Sequence, residues 1–128
     1  MIDRDASLVR MKRHFKHRNH LCLVYELLSL NLYEVLRLNN FIGIPLSVLR
    51  TFSVQILTAL QFLSELNIVH CDLKPENVLL RISKGTDVKV IDFGSSCRMN
   101  ERVCCLLRRF HSFAIDLHIY PKQVLPLT

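Results

Sequence analysis

His70-Cys71-Asp72-Leu73-Lys74-Pro75-Glu76-Asn77 is followed, twenty residues after Asp72, by Asp92-Phe93-Gly94, and these two pieces together decide the fold. Asp72 and Asn77 stand five residues apart, a step that suits a loop placing a base and an oxygen ligand on one rim. Lys74 falls between them, suited to meet negative charge that develops beside that rim. Between the two pieces, Asn77 to Leu80 and Val88 to Ile91 are short apolar runs, and Ser83-Lys84-Gly85-Thr86-Asp87 has the composition of a turn. A hairpin built from them returns Asp92 to the side of Asn77. Either aspartate alone would read as a surface turn residue, but the ordered pair of motifs does not.

Upstream, Leu49, Phe52, Ile56, Leu60 and Leu63 recur at three- and four-residue steps, with Ala59 and Leu66 widening the stripe. This spacing predicts an amphipathic helix from about Leu46 to Leu66, its stripe buried and its end leading into the His70 loop. Gly43 and Pro45 separate it from a shorter helical pattern over Leu32 to Leu38. Residues Leu8 to Phe15 and His20 to Tyr25 read as an antiparallel strand pair, with an unpaired sheet edge at Leu8. Glu26 to Asn31 connects the pair to the helices.

Composition narrows the function classes. The chain has 128 residues, half of them hydrophobic, with 3 Gly and 4 Pro, enough for one ordinary domain. No run reaches the 18 or more consecutive apolar residues of a membrane span, and Met1-Ile2-Asp3-Arg4-Asp5 has no apolar leader. No membrane partner is expected, and the location expected is cytoplasmic or nuclear. Cys22, Cys71, Cys97, Cys104 and Cys105 include no C-x-x-C pair, so neither a disulfide framework nor a zinc site is indicated. The formal charge of +6 gathers partly in Arg10, Lys12, Arg13, Lys16 and Arg18, beside His14, His17 and His20. No nucleic-acid fold motif accompanies that cluster, which fits the solvated turn of a hairpin better than a nucleic-acid surface. A period of three histidines suits neither a strand face nor the i, i+4 pair that metals favour.

The octapeptide matches the catalytic-loop pattern H-R-D-L-x-x-x-N of protein kinases at every fixed position except the second, and Asp92-Phe93-Gly94 is the D-F-G that follows it. With Arg18 to Ser29, Asn31-Leu32-Tyr33-Glu34 and Val90 to Cys97, the chain resembles the dual-specificity tyrosine-regulated kinase (DYRK) family from about Leu8 to Val103. Cys71 and Ser95-Ser96-Cys97 are the residues that discriminate at family level. The resemblance implies an α+β fold, a partial protein-kinase-like domain over residues 1–103. It would comprise the N-lobe end (8–25), a hinge (25–31) and the start of the C-lobe (32–103), before a divergent tail (104–128). It implies an ATP-dependent serine/threonine kinase acting on protein substrates with magnesium. Asp72 would be the catalytic base, Lys74 the stabiliser of phosphoryl charge, and Asn77 and Asp92 the metal ligands. Tyr25 would be the gatekeeper, Glu26, Leu27 and Leu28 the hinge against adenine, and Leu79 the pocket floor. Cys71 replaces an arginine that anchors phosphorylated activation loops, and a thiol makes no bidentate ionic contact.

Departures from the family pattern shape the remaining expectations. No G-x-G-x-x-G loop occurs, nor the strand lysine and helix glutamate that pair. After Glu101-Arg102-Val103 the chain reads Cys104-Cys105-Leu106-Leu107 instead of a tyrosine-x-tyrosine motif, and Tyr120 lies too far along to replace it. The expectation is a truncated kinase with little activity alone, because phosphate-positioning groups supply most of the rate in this chemistry. A competing expectation is an inactive interaction fragment that associates with a full-length kinase.

Overall fold

The computed structural model describes residues 7–99. The expectations for Met1 to Asp5, Cys104-Cys105, Tyr120 and the tail 104–128 fall outside the described residues.

The first two elements form a two-stranded antiparallel ribbon, β1 (Met11–His17) and β2 (His20–Tyr25). Arg18 and Asn19 form the connection, both with positive φ (44° and 65°). Two such residues give the turn whose twist matches the twist of its strands. Every residue of β1 is exposed, so the ribbon holds by its ladder more than by burial. Two features differ from the sequence expectation. The first strand begins at Met11 rather than Leu8, because Leu8 forms a parallel bridge with Val90. The Val90 N–H donates to the Ser7 carbonyl (2.8 Å) and the Val9 N–H to the Val90 carbonyl (3.0 Å). The edge expected to be open at Leu8 is therefore paired, and residues 7–9 tie the ribbon to the interior.

Helix α1 (Leu32–Leu38) begins in a reciprocal cap. The Asn31 side chain accepts from the Glu34 N–H (2.7 Å), and the Glu34 carboxylate accepts from the Asn31 N–H (3.0 Å). Two donors that helix geometry leaves without partners are thereby satisfied. Asn31→Ala should lower stability by about 1 kcal/mol, read as a lower thermal midpoint. Asn40 and Phe41 (φ 55° and 57°) and Gly43 (φ 109°) reverse the chain after α1, and Pro45 precedes α2 (Leu46–Glu65).

Along α2 the inward line is Val48, Phe52, Ile56, Ala59 and Leu63, spaced by four, four, three and four. Leu49 and Leu66, assigned to the buried stripe by sequence, are 44% and 48% exposed. The hairpin on which α2 rests is short, so the helix's own drift carries these two residues past the edge of the contact. By length and composition alone α2 could cross a membrane, a property that core helices share. Here it carries one side of the core.

Beyond α2 come β3 (Ile68–Val69), a 3₁₀ turn (Pro75–Asn77), β4 (Val78–Leu80), β5 (Val88–Val90) and β6 (Cys97–Arg98). β4 and β5 form the expected antiparallel hairpin, Val78 opposite Val90, Leu79 opposite Lys89 and Leu80 opposite Val88. Leu32, Phe52, Val78, Leu80 and Val88 make one buried cluster, against which Val35, Ile44, Val48 and Ile56 pack. Gln55 clamps the hairpin to α2: its amide donates to the Thr86 carbonyl (2.8 Å) and its carbonyl accepts from the Val88 N–H (2.9 Å). β3 pairs with β6, Val69 opposite Cys97, and so draws together the two segments that flank the sequence motifs.

Candidate functional site

The loop after β3 and the loop after β5 are bracketed by one buried side chain. The His70 Nε2–H donates to the Ile91 carbonyl (2.8 Å), and its Nδ1 accepts from the Asp72 N–H (3.3 Å). A carbonyl on one ring nitrogen and an N–H on the other place the proton on Nε2. Phe93 meets the imidazole edge-on, ring centres 5.1 Å apart. From the same residue, the Ile91 N–H donates to the Asn77 carbonyl (2.9 Å). Asp92 is thereby delivered next to the strand entrance at Asn77, as the hairpin spacing anticipates.

Asp72, Lys74 and Asn77 converge. Asp72 Oδ2 lies 3.0 Å from Lys74 Nζ and accepts from Asn77 Nδ2 at 3.1 Å. Asn77 Nδ2 also donates to the Asp72 carbonyl (2.8 Å), which fixes the amide orientation and leaves Oδ1 as the atom that could ligate a cation. Asn77 is buried, whereas Lys74 is largely solvent-facing. Asp92 adopts φ 62°, and its Oδ1 accepts from the Gly94 N–H (3.1 Å). A Cβ at position 94 would stand 3.1 Å from that same oxygen, so glycine is what lets the loop close this tightly. The Asn77 amide oxygen and the Asp92 carboxylate are hard oxygen donors. They suit a cation of the magnesium kind, which takes one or two protein oxygens and fills its remaining positions with water and phosphate.

A cavity of about 870 Å³ opens beside Asp92. It is lined by Val9, Leu23, Tyr25 to Leu28, Leu79 and Ile91 to Gly94. The volume is that of a small-molecule site, and the lining is mainly apolar with a few polar groups. Tyr25, Glu26, Leu27, Leu28, Leu79 and Asp92 thus all border one space. Asp72, Lys74 and Asn77 do not line it; they sit together past its Asp92 end. Leu27, which reads as well for core as for wall, is 92% exposed. The Glu26 N–H is engaged by the Arg10 carbonyl (3.0 Å), while the Glu26 carbonyl and the Leu28 N–H carry no hydrogen bond among the described residues.

Cys71 and Cys97 meet. Their Sγ atoms are 3.4 Å apart, and Cys71 adopts φ 66°, turning its thiol under the loop. Two residues have a place here that the sequence reading leaves unassigned. His70 stands in the quoted motif without a role of its own. Lys89 is a buried lysine inside the triplet Val88-Lys89-Val90, and a charge in an otherwise inward strand was the signal available.

The description "Protein kinase domain" matches residues 3–118. The chain is 53% identical over 98 residues to the "Probable serine/threonine-protein kinase dyrk2" of Dictyostelium discoideum, covering 77% of this chain and 11% of that protein. It is 51% identical over 96 residues to the serine/threonine-protein kinase ppk15 of Schizosaccharomyces pombe, covering 75% of this chain and 18% of that protein. To the human dual specificity tyrosine-phosphorylation-regulated kinase 4 it is 50% identical over 101 residues, 79% of this chain and 19% of that protein. The matched region is therefore less than a fifth of each of these relatives' length.

Proposed function

Because the chain belongs to the protein kinase family, we propose that its cavity binds the adenosine of ATP and that the neighbouring loops handle the magnesium and the γ-phosphoryl group. The reaction is transfer of that group to a serine or threonine hydroxyl of a protein. The observation that supports this reading is one hydrogen bond, from the Ile91 N–H to the Asn77 carbonyl. It joins the lining of the apolar cavity at Ile91 and Asp92 to the cluster of Asp72, Lys74 and Asn77.

In this reading the Glu26 carbonyl and the Leu28 N–H hydrogen-bond the adenine edge, and Leu79 packs against its face. Asn77 and Asp92 would hold magnesium, which would supply positive charge against the phosphates. Asp72 accepts the proton of the attacking hydroxyl. Its carboxylate is oriented for this by Lys74 and Asn77, and Lys74 is near enough to meet charge on the transferring group. Phosphoryl transfer needs positioning and charge compensation more than covalent help; this cluster supplies part of both, and without a G-x-G-x-x-G loop in its sequence the chain alone should show little activity.

The test is cooperative unfolding of the purified chain with and without magnesium-ATP. Ligand that binds only the folded state raises the midpoint by mass action, about 2.7 kcal/mol at a hundred times Kd. The midpoint of the native sequence should rise, and Asp92→Asn should reduce the part of the rise that depends on magnesium. A midpoint indifferent to nucleotide would remove the proposal.

A second reading, association with a full-length homologue, draws on the exposed ribbon, whose Phe15, Leu21 and Leu23 are 43–63% exposed. Failure of the two proteins to co-purify would count against it.

A further inference from the structure

The adenine-facing wall is held from behind by a buried lysine. We infer that Lys89 is a positioning residue for nucleotide recognition, acting through Glu26; the inference rests on reading the cavity as a nucleotide site.

Lys89 has a side chain only 9% exposed, and its Nζ lies 3.6 Å from Glu26 Oε1. An ammonium taken out of water is costly unless it meets opposite charge, and Glu26 is one of the groups it meets. The same Oε1 accepts the Arg10 N–H at 2.8 Å, and the Glu26 N–H donates to the Arg10 carbonyl at 3.0 Å. Glu26 is thus gripped through its main chain and through its carboxylate. What this leaves is the Glu26 carbonyl, the group assigned to the adenine edge.

The opposite wall is tied in as well. Lys89 stands directly across the ladder from Leu79, and paired residues of an antiparallel hairpin project to the same face. Leu79 borders the cavity, so one hairpin rung supplies both the surface beneath the base and the cation that fixes the wall beside it. Lys89 also lies three residues before Asp92 on the same strand and loop. Ser29, Leu30 and Asn31 already tie the segment after the wall to β4 through its backbone, and the Lys89–Glu26 ion pair adds a restraint at Glu26 itself. Loss of the pair leaves Glu26 held by its two bonds to Arg10 while the slot remains. The base can still enter, but its edge meets a wall with one restraint fewer.

The experiment compares adenosine with inosine by titration calorimetry on the full chain. Inosine reverses the donor and acceptor at the purine edge, so a fixed wall should prefer adenosine by about tenfold, the worth of one good hydrogen bond. Lys89→Met should bring that preference to about twofold or less, while Lys89→Arg restores most of it. A Lys89→Met chain with an unchanged thermal transition and the native preference would overturn the inference. If Lys89→Met does not unfold cooperatively, Glu26→Gln takes its place. That variant keeps an oxygen for the Arg10 N–H and removes the charge facing Lys89. It should lose the preference too, and a preserved preference would equally overturn the inference. Native chain that binds no adenosine at all overturns the nucleotide reading and the inference together, an outcome distinct from binding without a role for Lys89.

Discussion

Phe52→Ala should destabilise the chain by about 3–5 kcal/mol, the largest loss expected from any single apolar truncation here. The ring is 3% exposed and belongs to the cluster formed with Leu32, Val78, Leu80 and Val88. It joins α2 to both helix α1 and the β4–β5 hairpin, so its removal leaves a void at the meeting of three elements. Small domains are stable by only about 5–15 kcal/mol in total, so the variant should be close to unfolding at room temperature. Chemical denaturation reads this as a lower midpoint with an unchanged slope. Leu57→Ala, on the same helix but 63% exposed, is the control and should change stability by about 0.5 kcal/mol or less. Equal effects from the two substitutions would mean that α2 does not pack as described.

If the chain carries out the proposed phosphoryl transfer, Asp72→Asn should reduce it by about 10²–10⁴-fold, the usual contribution of a positioned general base. The change keeps the side chain's shape and one oxygen for the Asn77 amide, but it removes the proton acceptor and the charge facing Lys74. Magnesium-nucleotide binding should be little altered, because Asp72 does not border the cavity. Incorporation of labelled phosphate, measured beside a nucleotide titration, separates the two effects. Loss of binding in step with loss of transfer would assign Asp72 to the wrong task.

How much of this was legible beforehand follows the range of the interactions involved. Helices α1 and α2 and the β4–β5 hairpin were readable because their signals are local: apolar spacing, Pro and Gly breaks, and a turn of polar residues. The convergence of Asp72, Lys74 and Asn77 was readable because all three lie within six residues. The pairing of residues 7–9 with Val90 was not, since it joins segments some eighty residues apart and leaves no periodic trace. Leu49 carried the right residue type and step for burial, yet burial depends on where the facing hairpin ends. The meeting of Cys71 with Cys97 had a signal in two unusual residues, but only the β3–β6 ladder brings them together. Lys89 was hidden for the same reason, as its significance lies in what a distant residue, Glu26, presents to it.

Both backbone groups of Ile91 are hydrogen-bonded, its N–H to Asn77 and its carbonyl to His70. An outward movement of Asp92-Phe93-Gly94 would part the Ile91 carbonyl from a buried imidazole and the Phe93 ring from its edge. The same imidazole accepts the Asp72 N–H. One side chain thus couples the resting places of Asp72 and Asp92, so a substitution at His70 should disturb both loops rather than one.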